Sequence, residues 1–179
     1  GADVIINISS SPFAVGKHDK IRLRMLIHDA MKYKVPFVYV NQVGGNDDLV
    51  FDGNSVVINA QGRLIAQAAT FKEDLIVVDI KNPSVQIQPK NYSDIETVHM
   101  ALIAGLRDYV TKCGFKKVVI GLSGGIDSAL TAAVAVESLG NQNVIGVLMP
   151  SQFSSQGSID DAVKLSQNLG IVYKIIPIQ

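Results

Sequence analysis

The sequence predicts an α/β protein made of two unlike units in tandem, and three observations carry that prediction. Short aliphatic and β-branched runs of strand length recur throughout, separated by segments of helical periodicity. Up to residue 80 there is one helical pattern among several strands, whereas from residue 95 to 179 helix and strand alternate strictly, the signature of a parallel sheet. Between the two, residues 81–94 hold Pro83 and Pro89 and little helical periodicity, the composition of a connector.

Composition agrees with a folded chain. Of 179 residues, 47% are apolar and 18% charged, enough to build a core and unlike a disordered segment. Sixteen basic residues balance sixteen acidic ones, so bulk charge gives no support to a nucleic-acid partner. The lone Cys113 cannot form an internal disulfide, and no apolar run reaches the 18 or so residues that span a bilayer. With no export signal at Gly1-Ala2-Asp3, the expectation is a cytoplasmic setting without membrane contact.

In the first unit, Val4 to Ile8 reads as a strand covered on both faces. Residues 19–34, with Ile21, Met25, Ala30 and Met31 among charged neighbours, read as an amphipathic helix stopped by Val35-Pro36. Phe37 to Val40 is the next strand, which completes a β-α-β unit. Gly44 to Asp48 reads as a loop, Ala60-Gln61-Gly62 as the turn of a hairpin between 55–59 and 63–68, and Leu75 to Asp79 as one more strand.

In the second unit, Val98, Ala101, Leu102, Leu106 and Tyr109 mark a helix that Gly114 follows. Val118 to Ile120 is expected as a short buried strand and Ile126 to Leu139 as a helix apolar nearly all round. Asn143 to Met149 is another buried strand, Ser158 to Asn168 a helix ended by Gly170, and Ile171 to Ile176 a last strand. So few strands do not complete a sheet, and the chain is expected to be a fragment.

Chemistry concentrates in Gly121-Leu122-Ser123-Gly124-Gly125-Ile126-Asp127-Ser128, between a strand and a helix. Glycines allow close backbone approach, and the N–H groups of a helix N-terminus favour an anion, so phosphate or pyrophosphate is the expected guest. No lysine follows the glycines, which excludes the G-x-x-x-x-G-K-[ST] pattern. Asp127 stands there instead, and a carboxylate beside phosphate implies a bridging Mg²⁺. A structural role stays open: Ser123 as N-cap and Asp127 complementing the helix dipole.

Ser123-Gly124-Gly125-Ile126-Asp127-Ser128 matches the S-G-G-x-D-S loop of ATP pyrophosphatases, which cleave ATP to AMP and pyrophosphate. The stretch Asn143 to Ser151, Phe153-Ser154-Ser155 and Ser158 to Ala162 resembles the region after that loop in glutamine-dependent NAD synthetases. Val4 to Phe13 with Gly16-Lys17, and Asn41 to Gly45 running on to Leu49 to Ser55, resemble the carboxyl-terminal half of the nitrilase-fold glutaminase domain fused to them.

The resemblance implies the carboxyl-terminal part of a nitrilase-like α-β-β-α sandwich over 1–80, a linker over 81–94, and the start of an ATP pyrophosphatase domain over 95–179. It implies adenylylation of nicotinic acid adenine dinucleotide by ATP with Mg²⁺, then amidation by ammonia drawn from glutamine. Gly121 to Ser128 would hold ATP and pyrophosphate, with Asp127 on the metal. Met149, Pro150, Ser151, Ser154 and Ser155 would form a further ATP-site loop. Ser11 and Lys17 would bind glutamine, and the full-length enzyme would be a homo-oligomer. The Glu-Lys-Cys set of such glutaminases would precede Gly1, so none of it is expected in this chain.

Blander roles remain open for several of these residues. Ser154, Ser155 and Ser158 suit loop and capping polarity, Ser158 and Asp161 having capping-box spacing, and Lys17 suits a solvated loop. Cys113 reads as a packed structural thiol, His18, His28 and His99 lack metal-ligand spacing, and the pairs Asp47-Asp48 and Asp160-Asp161 read as exposed charges. A tRNA-thiolating ATP pyrophosphatase would need a basic RNA-binding module and catalytic cysteines, neither of which is present. An inactive chain that acts only in assembly is the non-enzymatic alternative.

Overall fold

A computed structural model describes residues 1–81 and 86–178, so the Asn82 to Val85 part of the expected linker, and Gln179, lie outside the described residues. The chain divides into two compact units, Gly1–Ala101 and Leu102–Gln179.

Among the described residues of the first unit, a four-stranded sheet runs in the order β1 (Ile5–Ser9), β2 (Phe37–Asn41), β5 (Val56–Ile58), β6 (Leu64–Gln67). β1 and β2 are parallel, with Ile5 opposite Phe37, and the remaining pairs are antiparallel. The crossover is the expected helix: a π-turn at His18–Arg22 runs into α1 (Leu23–Tyr33), which ends with Lys34 in the left-handed region ahead of Pro36. Its buried stripe differs from the expected one. Leu23, Leu26 and Ala30 pack on Phe37, Tyr39, Val56, Ile58 and Leu64, while Ile21, Met25 and Met31 are exposed. Leu23, Leu26 and Ala30 follow the helical three-four spacing, and that register decides which apolar residues reach the sheet.

Three more local differences have identifiable causes. Residues 44–48 are not simply a loop: β3 (Val43–Asn46) and β4 (Leu49–Asp52) pair as a hairpin. Its turn at Asp47-Asp48 is exposed, with Asp47 at φ 50°, a conformation that aspartate tolerates. Leu75 to Asp79 forms no strand. Ile76, Val78 and Ile80 line an apolar recess with Val38, Val40 and Val57, and Leu75 and Val77 point to solvent, so the alternation is real but no ladder satisfies it. β1 is covered on one face only, since Ile6 and Ile8 are 61% and 84% exposed.

α2 (Asp94–Lys112) carries the boundary between the units. Its start is fixed by a capping box that sequence reasoning did not identify: Glu96 N–H donates to Ser93 Oγ, and Ser93 N–H donates back to Glu96 Oε2 at 2.7 Å. The Ser93 backbone N–H, and then its hydroxyl, hold the Glu96 carboxyl below its usual range. Gly114, at φ 78°, follows the helix end, and Cys113 beside it is exposed rather than packed.

The second unit winds as predicted. β7 (Val118–Gly121), β8 (Val144–Leu148) and β9 (Val172–Ile175) form a parallel sheet in that order. α3 (Ile126–Leu139) and α4 (Gln156–Leu169) are the crossovers and pack on each other. Ala132, Ala135 and Ala162 are small enough for the helices to approach Val144 and Leu148 closely. Gly146 in mid-strand makes room for the loop side chain of Leu122, because a Cβ there would lie 2.7 Å from Leu122 Cδ1. β7 is half-exposed rather than buried, with Val119 67% accessible.

Candidate functional site

The glycine loop starts where β7 ends. Leu122 is buried, and its N–H still donates to Val147 O at 2.8 Å, so the loop leaves the sheet from a fixed point. Gly124 takes φ +81°, and Gly125, at φ −88° and ψ 160°, is the N-cap of α3 without a side-chain cap bond. Ser123, for which a capping role stood open, has another task. Its Oγ accepts from Gly125 N–H at 3.2 Å and lies 3.1 Å from Ser128 Oγ. Ser128 Oγ in turn accepts from Ser123 N–H at 3.3 Å and donates to Gly125 O at 3.0 Å. With the Ser128 proton committed to that carbonyl, Ser123 is the donor between the two hydroxyls. The serines therefore brace the turn from inside.

The groups left facing outward are backbone donors. The first α-helical bond is Ala129 N–H to Gly125 O, which leaves the N–H groups of Ile126, Asp127 and Ser128 outside the α-helical ladder at the positive end of the helix dipole. Asp127 is exposed in that first turn, and its carboxylate has no hydrogen bond or ion pair with the described residues.

The second expected loop follows β8. Met149, Pro150 and Ser154 line one cleft with Leu122 and Ser123 at the carboxyl ends of β7 and β8, where open α/β sheets bind ligands. Ser151 and Ser155 serve the backbone instead. Ser151 Oγ accepts from Phe153 N–H at 3.2 Å, and Ser155 is the N-cap of α4, accepting from Ser158 N–H at 3.1 Å; Ser154, although it lines the cleft, also accepts from Ser151 N–H at 3.0 Å. The expected Ser158–Asp161 box is thus replaced by a Ser155 cap one turn earlier. Asp160 and Asp161 are exposed, as expected.

In the first unit, the candidate glutamine residue Ser11 adjoins a buried polar network, and among the described residues the Lys17 side chain bonds only to the nearby Pro12 carbonyl. The Asn41 side chain continues the β1–β2 pairing beyond its backbone: its Oδ1 accepts from Ser11 N–H at 2.8 Å and its Nδ2 donates to Ser11 O at 3.2 Å. Arg22 reaches both oxygens of Asp52, at 2.8 and 3.1 Å, and donates to Ser11 Oγ at 3.2 Å. Lys17 Nζ donates to Pro12 O at 3.0 Å, leaving two of its donors for other partners. Arg22 and Asp52 are the residues that sequence reasoning missed. Their one signal is Asp52 at the end of the apolar run Leu49-Val50-Phe51, since a buried carboxylate requires a partner.

His18 adjoins this network. Its Nδ1 lies 3.4 Å from Arg22 Nη1, and its Nε2 is buried without a hydrogen bond. Burial first, and the Arg22 charge second, push its pKa below the ordinary value of about 6.5, against opposing pulls from Asp19 and Asp52. Between the lowered value and about 6.5 the unfolded chain binds more protons than the folded one, so stability there rises with pH. The first unit should therefore lose stability as pH falls through 6.5 toward the folded value. Chemical denaturation at a series of pH values checks this: His18→Gln should flatten the dependence, and an unchanged slope would remove His18 as its source. His28 and His99 are exposed, and among the described residues no group of three or more His, Cys, Asp or Glu side chains is placed to hold a metal. Among the same residues no helix is long and apolar enough to cross a membrane.

Comparison with known proteins agrees with the division of the chain. Residues 1–90 match the carbon-nitrogen hydrolase family and residues 98–179 the NAD synthase family. Glutamine-dependent NAD(+) synthetases are similar across both segments. That of Synechocystis sp. is 46% identical over 99% of this chain and 33% of its own length, and that of Thermotoga maritima 43% identical over 99% and 37%. The structure of the Acinetobacter baumannii glutamine-dependent NAD+ synthetase in complex with ADP superposes with a TM-score of 0.90 at 40% identity, over 99% of this chain and 34% of that one. The chain thus spans about a third of the length of the curated relatives it matches. Through residues 1–90 the chain belongs to the carbon-nitrogen hydrolase family, and its segment 98–179 matches the NAD synthase family, the same pairing that its glutamine-dependent NAD(+) synthetase relatives show along their matched length.

Proposed function

We propose that this chain supplies the ATP-binding loop, and part of the glutamine-side loop, of a cytoplasmic ligase that makes NAD from nicotinic acid adenine dinucleotide, ATP and glutamine. The observation that carries this is the loop from Ser123 to Ser128, braced internally by two hydroxyls, with Ser123 lining the cleft and the first N–H groups of α3 outside the helical ladder. The ADP bound to the Acinetobacter baumannii relative supports a nucleotide as the guest.

In this reading the substrate carboxylate attacks the α-phosphorus of ATP and pyrophosphate leaves; ammonia then displaces AMP from the adenylylated acid. The chain's contribution to the first step is placement and charge. Gly124 and the first turn of α3 offer N–H donors to the phosphates, and Ser123 and Ser128 hold those donors in place before substrate arrives, the Gly125 N–H being taken by Ser123 Oγ. The donor set suits Mg²⁺, which takes few protein carboxylates and relies on substrate phosphates, with Asp127 as the protein ligand. When bound, Mg²⁺ supplies neutralisation of phosphate charge. Met149, Pro150 and Ser154 form the opposite wall. Ser11 and Lys17 serve glutamine, Ser11 through its hydroxyl and Lys17 through the charge that its Pro12 contact leaves available. We assign these roles to units at 1–80 and 95–179 joined through 81–94.

Amide exchange over Gly121 to Ser128, with and without Mg-ATP, tests the reading. Slowed exchange on addition is the expected result, and exchange that Mg-ATP leaves unchanged would sink it. Asp127→Ala should weaken Mg-ATP binding at least about tenfold without unfolding, because the residue is exposed at a loop end. Equal metal-dependent affinity in the variant would remove Asp127 from the site.

A further inference from the structure

The loop that faces the nucleotide rests on another element, and that contact has no side chain in it. A Cβ on Gly124 would lie 2.3 Å from the Ser158 carbonyl oxygen, 2.8 Å from its Cα and 2.9 Å from its carbonyl carbon. Backbone therefore meets backbone, and wherever the first turn of α4 sits, Gly124 must follow.

The position of that turn is set by Ser155. Its Oγ accepts from Ser158 N–H at 3.1 Å and lies 2.9 Å from Ser158 Oγ, and its carbonyl takes the Ile159 N–H at 3.4 Å. Ser154 and Ser158 line the cleft, whereas Ser155 stands behind it as the N-cap.

We infer that Ser155 is a positioning residue for the nucleotide site, acting through the chain Ser155 Oγ, Ser158 backbone, Gly124. Its hydroxyl holds the α4 turn at the height on which the glycine loop is seated, and so sets the direction in which the loop N–H groups point. The inference rests on the nucleotide reading of that loop and gives Ser155 a role distinct from ligand contact. A hydroxyl that met the nucleotide directly would leave the empty loop indifferent to its loss, whereas a cap that supports the loop predicts a change with no nucleotide present.

The test uses the whole chain and three proteins: wild type, Ser155→Ala and Ser155→Asn. Asparagine caps a helix about as well as serine but carries no hydroxyl. In the absence of nucleotide, Ser155→Ala should exchange faster both at 156–159 and at Gly124 and Gly125, and Ser155→Asn should restore both segments. Affinity for Mg-ATP should fall roughly three- to tenfold in Ser155→Ala, within what the loss of one cap can transmit, and recover in Ser155→Asn. Faster exchange confined to 156–159, with loop exchange and Mg-ATP affinity as in wild type, would overturn the inference. So would an affinity lost equally in both variants while the empty loop is unaltered, because that is the behaviour of a ligand. Failure of the underlying reading shows separately, as a wild-type loop that Mg-ATP does not protect.

Discussion

Asp52→Ala should destabilise the first unit by about 3–5 kcal/mol, the cost of leaving one member of a buried ion pair without its partner. Arg22 and Asp52 are each 4% exposed, and the guanidinium meets the carboxylate at two points. With the carboxylate gone, Arg22 keeps Ser11 O at 3.4 Å, Ser11 Oγ at 3.2 Å and the face of Tyr39, none of which carries a formal negative charge. Asn41 also loses its Nδ2 bond to Asp52 Oδ1 at 3.3 Å and is left with its two bonds to Ser11. Since whole domains are stable by only about 5–15 kcal/mol, this is a large share. Amide exchange resolved by segment provides the measurement: protection should collapse in β1, β2 and α1 and persist in α3 and β8. A loss below about 1 kcal/mol would mean that the pair is not held as tightly as its geometry indicates. The same network fixes Ser11, so a milder variant, Asp52→Asn, should loosen exchange at Ser11 to Lys17 before the sheet itself opens.

The residues of this network show where sequence reasoning reaches its limit. α3 was legible from end to end because an apolar run bounded by Gly125 and Gly140 specifies a helix locally. The parallel direction of β7, β8 and β9 followed from alternation, whereas their order in the sheet did not. Arg22 and Asp52 belong to different elements, and neither periodicity nor propensity links a residue on a π-turn to one on β4. Burial was misread for a related reason. The apolar runs of β1 and β7 do not say what covers them: Asn7 and Ser9 share the inner face of β1 with Ile5, and Ile8 and Val119 remain exposed. Gly44 and Gly45 were read as loop because glycine weakens strands, yet across a tight hairpin they oppose Phe51 and Val50. In the glycine loop the residue types did not reveal which polar groups the fold itself would use. Ser123 and Ser128 looked like phosphate donors, but folding turns them toward each other and leaves the exposed donors to the backbone.

That division of labour makes Gly124 the most sensitive position of the loop. Gly124→Ala should weaken Mg-ATP binding at least about a hundredfold, equivalent to roughly 2.7 kcal/mol, while the second unit stays folded. Two penalties coincide there. An L-residue at φ +81° is strained by roughly 1–2 kcal/mol, and its Cβ would lie 2.3 Å from a backbone oxygen that has no rotamer with which to move away. Either the loop lifts from α4 or the turn at Ser158 shifts, and both displace the N–H groups of α3 from the phosphates. Gly125→Ala is the matched control. Its φ of −88° suits any residue, and its Cβ would stand 3.3 Å from Ser123 Oγ, a contact relieved by a shift of a few tenths of an ångström that leaves the Ser123 bonds in place. Calorimetric titration of both variants with Mg-ATP should give a large loss for the first and a change of no more than a few-fold for the second. Equal losses would place the sensitivity in the bulk of the loop and not in its seat on Ser158. Wild-type affinity in Gly124→Ala would mean that the loop binds nucleotide without resting on α4, and the role inferred for Ser155 would fall with it.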